Sequence, residues 1–264
     1  MAVCTGMDKQ MISRDGTPIA YRSSGQGPAV VLVSGAMSTG ATLAPLAARL
    51  ADRFTVVVHD RRGRGASGDT APYAVAREVE DLAALIEAAG GEAALYGISS
   101  GGALVLEAAA SGLPVRQVAV YEPPFVPPGN EKEHAEYTRR LTEALAQGRR
   151  GDAVELFLRL TGLAEPMIKG ARQSPMWADM EAIAPTLAYD DAVMGDGLLP
   201  RERIASIGVP LLAVAGGASP GWMRTAAADV ADAAPKGTWL TLEDQTHMVD
   251  PDVLAPVLAE FFAS

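Results

Sequence analysis

The chain of 264 residues contains one cysteine, Cys4. A single thiol excludes an internal disulfide, and with it zinc sites and iron–sulfur clusters built from several cysteines. Histidine is nearly as scarce: only His59, His134 and His247 can serve chemistry that needs an imidazole. Basic residues number 22 against 32 acidic ones, a net charge of -10. Such a chain is a poor partner for nucleic acid, which is held by clustered Lys and Arg. No apolar run approaches the ~18 residues that span a bilayer, and residues 1–10 have no signal-peptide core. The expectation is a cytoplasmic protein without a membrane span. The remainder is 48% hydrophobic and 20% charged, the balance of one large globular domain or two modest ones.

Against these absences the chain has a regular rhythm. Asp15-Gly16 marks a hairpin turn between two short extended runs. Apolar runs at 29–33, 54–58, 93–97 and 117–121 predict buried strands. Between them lie helical faces: Leu43, Leu46, Ala47 and Leu50, then Val75, Val79, Leu82 and Ile86, then residues 104–110, closed by Gly112 and Pro114. The alternation resumes with strands at 209–215 and 238–242, a helix after Pro220, and a last helix that Asp250 caps and Pro251 opens. Strand–helix alternation of this kind predicts an α/β fold with a mostly parallel sheet.

Between Tyr121 and Val209 the rhythm breaks, over a stretch too long for an ordinary connection. Tyr137, Leu141 and Leu145 share a face; Asp152 with Glu155 resembles a capping box with Val154, Phe157 and Leu158 inward; Met176, Trp177, Met180 and Ile183 form a third stripe. We therefore expect a core at 1–122 and 209–264, with a helical cap at 123–208 over the C-terminal ends of the strands, where open α/β sheets place ligands.

Gly97-Ile98-Ser99-Ser100-Gly101 fits G-x-S-x-G. The bare pattern is weak, but here it lies between an apolar strand and a helix, as its mechanics require. A serine on that sharp turn is strained and exposed, while the flanking glycines let neighbouring backbone close in. Ser99 is thus the candidate nucleophile, and the Ser100 N–H, at a helix N-terminus, is available to an oxyanion. His247, in the loop before the last helix, is the candidate base. His59 ends a buried strand and reads as structural; His134, among Glu131, Lys132, Glu133 and Glu136, reads as lying on a solvated helix face.

The order of strand, serine elbow, helical insertion, late histidine and final helix resembles the alpha/beta-hydrolase superfamily over nearly the whole chain. Residues 60–67, Asp-Arg-Arg-Gly-Arg-Gly-Ala-Ser, resemble its D-x-R-G-x-G-x-S turn after the fourth strand, a structural element. The resemblance implies an eight-stranded, mostly parallel sheet flanked by helices, with a helical cap after the sixth strand. Two features depart from the family. Its usual acid, in G-x-x-D after the seventh strand, is replaced by Gly216-Gly217-Ala218-Ser219. Some relatives carry the acid after the sixth strand, and there this chain has Glu122, followed by Pro123 and Pro124; Glu122 is our candidate, with Asp244 the alternative. The usual His-Gly after the third strand is Ser34-Gly35-Ala36-Met37 here, so the resemblance implies Ala36 N–H as the second oxyanion donor.

Seven methionines fall in the insertion or in loops at the strands' C-terminal edge. They suggest an adaptable apolar pocket, for which Met37, Met176, Trp177, Met180, Trp222 and Met248 are candidates, although Met176 and Met180 could equally fill the cap's own core. The expected function is a serine hydrolase of carboxylic esters, lactones or thioesters, with a small apolar ester-type substrate and no metal or other cofactor; a homodimer is left open. The alternatives are C–C hydrolysis or cofactor-free perhydrolysis at the same site, or a ligand-binding or cyclase member of the fold with little turnover.

Overall fold

A computed structural model describes residues 8–264; Cys4 lies outside them. The eight strands are β1 Lys9–Ile12, β2 Pro18–Ser24, β3 Ala29–Val33, β4 Thr55–His59, β5 Ala93–Ile98, β6 Val115–Tyr121, β7 Leu211–Gly216 and β8 Gly237–Leu242. They form one sheet in the order β1-β2-β4-β3-β5-β6-β7-β8. β1 and β2 are a hairpin turning through Gly16 at φ 87°, β2 is antiparallel to β4, and every later pairing is parallel.

The central strands are apolar on both sides because both faces are covered. Val31 and Val33 of β3 face one core with α2 (Val75–Ala88), α3 (Ser100–Ala110) and α10 (Gly221–Ala233). Val30 and Leu32 face the other with α1 (Ala44–Leu50) and α11 (Pro251–Ala263). Asp250 caps α11, accepting from the Asp252 N–H at 2.8 Å. From β3 the chain turns to β4 on one side, and β5 then lies on the other. This is a switch point, the place where open α/β sheets bind ligands, and it brings the loops after β3 and β5 together.

The helical insertion between β6 and β7 comprises α4 (Glu131–Ala146), α5 (Arg150–Leu160), α6 (Glu165–Arg172), α7 (Trp177–Ile183), α8 (Leu187–Met194) and α9 (Arg201–Ala205). Leu141, Val154, Trp177 and Leu187 meet in its own small core. Two expectations are corrected here. Asp152 does not cap α5, which starts two residues earlier; it sits in the first turn and pairs with Arg149 at 2.5 Å. His134 is buried, not solvated, because Gly197 presses on its ring and its Nε2 lies 3.2 Å from the Gly195 carbonyl.

His59 ends β4 fully enclosed, with Nδ1 unpartnered among the described residues. Burial pushes its imidazole down from 6.5 to about 4. The unfolded chain therefore takes up this proton first as pH falls, and stability drops between about pH 6.5 and about pH 4 by about 3 kcal/mol. In urea unfolding at pH 7 and pH 4, the wild type is expected to lose about 3 kcal/mol more than His59→Leu. Equal losses would refute this account of His59.

Candidate active site

β5 runs directly into α3, and the chain reverses at Ser99, whose backbone lies at φ 56°, ψ -129°. A non-glycine residue held there stores about 1–3 kcal/mol of strain. Neighbouring backbone closes tightly around the bend. A Cβ on Gly101 would lie 2.6 Å from the carbonyl oxygens of Val33 and Ser34, and one on Gly35 would lie 2.9 Å from the Ser99 Cβ. The loop after β3 is thus packed against the Ser99 side chain. Gly101→Ala is expected to cost about 1–3 kcal/mol by forcing the loop and the elbow apart. An unchanged urea midpoint would show that the backbone yields freely.

Ser99 N–H donates to the Tyr121 carbonyl at 2.9 Å, which sets the elbow beside the end of β6. The next residue of β6's exit, Glu122, is wholly buried at φ 45°. Its N–H donates to Val214, its Oε1 accepts the Gly216 N–H at 2.8 Å, and its Oε2 lies 2.8 Å from His247 Nδ1. The Tyr121 hydroxyl donates to the Thr246 carbonyl at 2.6 Å, pinning the loop that carries His247. Loops following four adjacent strands are in this way joined at one edge of the sheet.

Burial pushes the Glu122 carboxyl up, but its hydrogen bonds to His247 and Gly216 prevail and hold it below the usual carboxylate range. Ser219, at the family's usual acid position, is buried close enough to add to this, though its hydroxyl makes no hydrogen bond of ordinary geometry. An ionised carboxylate only accepts, so Nδ1 carries a hydrogen toward Glu122, and in the neutral imidazole the acceptor nitrogen is Nε2. Asp244, nearer in sequence, is exposed at φ 58°, and the imidazole's carboxylate partner is Glu122.

Ser100 is the first residue of α3, so its N–H has no carbonyl one turn back. Ala36 and Met37 (φ 54°) are partly buried against the insertion's core. The remaining pocket candidates scatter. Trp177 is buried within that core and Met180 packs against it. Met176 and Met248 are 68% and 86% exposed, and Trp222 is also exposed. Side-chain softness says nothing about where a methionine packs, so a shared pocket lined by all of them is not formed.

Sequence reasoning missed Arg61, Arg64 and Asp190. Arg61 pairs with Glu78 and, at 2.7 Å, with Asp190; Arg64 pairs with Asp190 at 2.7 Å, and all four are buried. The available signal was three arginines within four residues beside a buried strand, since buried cations need partners. No group of three or more His, Cys, Asp or Glu able to hold a metal occurs among the described residues. No helix there is long and apolar enough to cross a membrane.

A serine at a strained strand–helix elbow, on a sheet of this topology, defines the class: the chain belongs to the alpha/beta hydrolase family, whose model matches residues 30–257. It is similar to an alpha/beta hydrolase from Sphaerobacter thermophilus, at 53% identity and a TM-score of 0.86, covering 96% of this chain and 100% of that one. An esterase from Thermogutta terrifontis shares the fold at 22% identity and a TM-score of 0.76, covering 97% of each chain. A 2-(acetamidomethylene)succinate hydrolase from Mesorhizobium japonicum is 38% identical over 91 residues, 34% of this chain. The match spans 33% of that curated relative's length.

Proposed function

We propose that the protein is a serine hydrolase of carboxylic esters, with Ser99 as nucleophile, His247 as general base and acid, and Glu122 orienting the imidazole. The observation that carries this reading is the 2.8 Å contact between buried Glu122 and His247 Nδ1, on the sheet edge where Ser99 occupies its strained bend. With Nδ1–H committed to a carboxylate, Nε2 is the basic nitrogen. It takes the Ser99 proton as Oγ adds to the ester carbonyl carbon, and the carbonyl electrons move onto oxygen. The N–H groups of Ser100 and Ala36 receive that oxyanion. Collapse expels the alcohol, protonated by His247, and water then releases the acid by the same steps. One oxyanion donor is typically worth about 2.7–4 kcal/mol in the transition state.

Residues 123–208 serve as a cap over this edge, and the site favours an apolar acyl or alcohol group. Met37, next to Ala36 in the oxyanion loop and packed with it against the insertion's apolar core, supports this preference. Lactones and thioesters are the nearest variants, because the same addition and collapse serve them. A fluorophosphonate probe tests the reading: labelling of Ser99, together with turnover of p-nitrophenyl esters of graded chain length, is expected. An unlabelled serine and no turnover across the series would end it.

A further inference from the structure

The proposed mechanism uses none of the buried charges of the turn after β4, yet they converge on its oxyanion groups. Arg64 Nη1 donates to the Gly35 carbonyl at 2.7 Å and to the Ser38 carbonyl at 3.3 Å, spanning the loop that contains Ala36 and Met37. Its Nε donates to Thr186 Oγ1 at 3.1 Å, and its Nη2 to Asp190 Oδ2 at 2.7 Å. The other oxygen of Asp190 accepts from Arg61 at 2.7 Å and from the Ser100 hydroxyl at 2.8 Å. Arg61 and Arg64 stand at two of the three variable positions of the D-x-R-G-x-G-x-S turn, Ala66 at the third. Arg62, at the motif's own arginine position, binds Asp15 and Asp81 elsewhere.

The Gly35 carbonyl and the Ala36 N–H belong to one peptide group. In a trans peptide these bonds point in opposite directions. A guanidinium gripping the carbonyl therefore fixes the direction of the N–H, and it polarises the peptide so that this N–H donates more strongly. We infer that Arg64, held by Asp190 of the helical insertion, is a positioning residue for the oxyanion hole: it aims the Ala36 N–H, while Asp190 also steadies Ser100, whose N–H is the second donor. One carboxylate on α8 thereby links both donors to the insertion. The inference rests on the serine-hydrolase reading above.

The cluster of Arg61, Arg64, Glu78 and Asp190 carries no net charge, so Arg64→Met leaves one buried negative charge in excess. The pair Arg64→Met with Asp190→Asn restores the balance, and it replaces the single variant if that one does not fold. Esterase kinetics and inhibition by an aryl trifluoromethyl ketone are measured on each folded variant; Ser99 adds to this ketone and leaves an oxyanion. The expected result is a kcat about 10- to 100-fold lower with KM within about threefold, and ketone affinity weakened by the same factor as kcat/KM. Arg64→Lys, which restores a donor without the fork, is expected to recover part of the loss. A folded variant with wild-type kcat, or one whose kcat falls while ketone affinity holds, overturns the inference. A wild-type protein that neither hydrolyses esters nor takes the fluorophosphonate overturns the serine-hydrolase reading and this inference with it. Wild-type turnover with an indifferent Arg64 overturns this inference alone.

Discussion

Ser99→Ala is expected to lower kcat for p-nitrophenyl esters by at least about 10³-fold and to abolish fluorophosphonate labelling, with the fold retained. The elbow's geometry makes this a clean test. Alanine has the same Cβ, so the packing against Gly35 and the hydrogen bond from residue 99 N–H to Tyr121 survive the change. Only the hydroxyl is lost. Turnover that persists must come from water adding to an ester carbonyl polarised by the oxyanion donors, which is far slower than attack by a positioned serine oxygen. Near-wild-type hydrolysis by this variant would remove Ser99 from the mechanism.

Glu122→Gln is expected to have a comparable effect, about 10³–10⁴-fold in kcat, although the side chain barely changes shape. The reason lies in which groups the carboxylate faces. One oxygen accepts from Gly216 N–H and the other meets His247 Nδ1. An amide has one acceptor, and Gly216 claims it because a backbone N–H can only donate. The NH2 group then points at Nδ1, which must become the acceptor, and the imidazole hydrogen moves to Nε2. A ring protonated at Nε2 cannot take the proton of Ser99. Asp244→Asn alters an exposed carboxylate at the loop's surface and is expected to change kcat by no more than a few-fold. Steady-state kinetics on the two variants decide the matter, and the opposite order would assign the acid to Asp244.

The alternation of strands and helices, the elbow at Ser99 and the long helical excursion after Tyr121 were legible from the sequence. Each is written in local periodicity and in glycine and proline placement, which act on neighbouring residues. The candidate acid was legible only as a choice between Glu122 and Asp244, because a strand terminus and a loop can each present a carboxylate. Tertiary structure decided which of them meets the imidazole: β6 and β7 lie side by side, and their pairing carries Glu122 under the Gly216 N–H, 94 residues on, and against His247, 125 residues on. The same holds for Asp190, which reaches Ser100 across 90 residues and Arg64 across 126. It holds for His134 too, whose charged neighbours in sequence pointed to solvent while Gly197 covers it in space. Backbone patterning by itself determined the fold and the sharp turn at Ser99. Pairing between side chains far apart in the chain leaves no periodic trace, and only the folded chain assigns the partners.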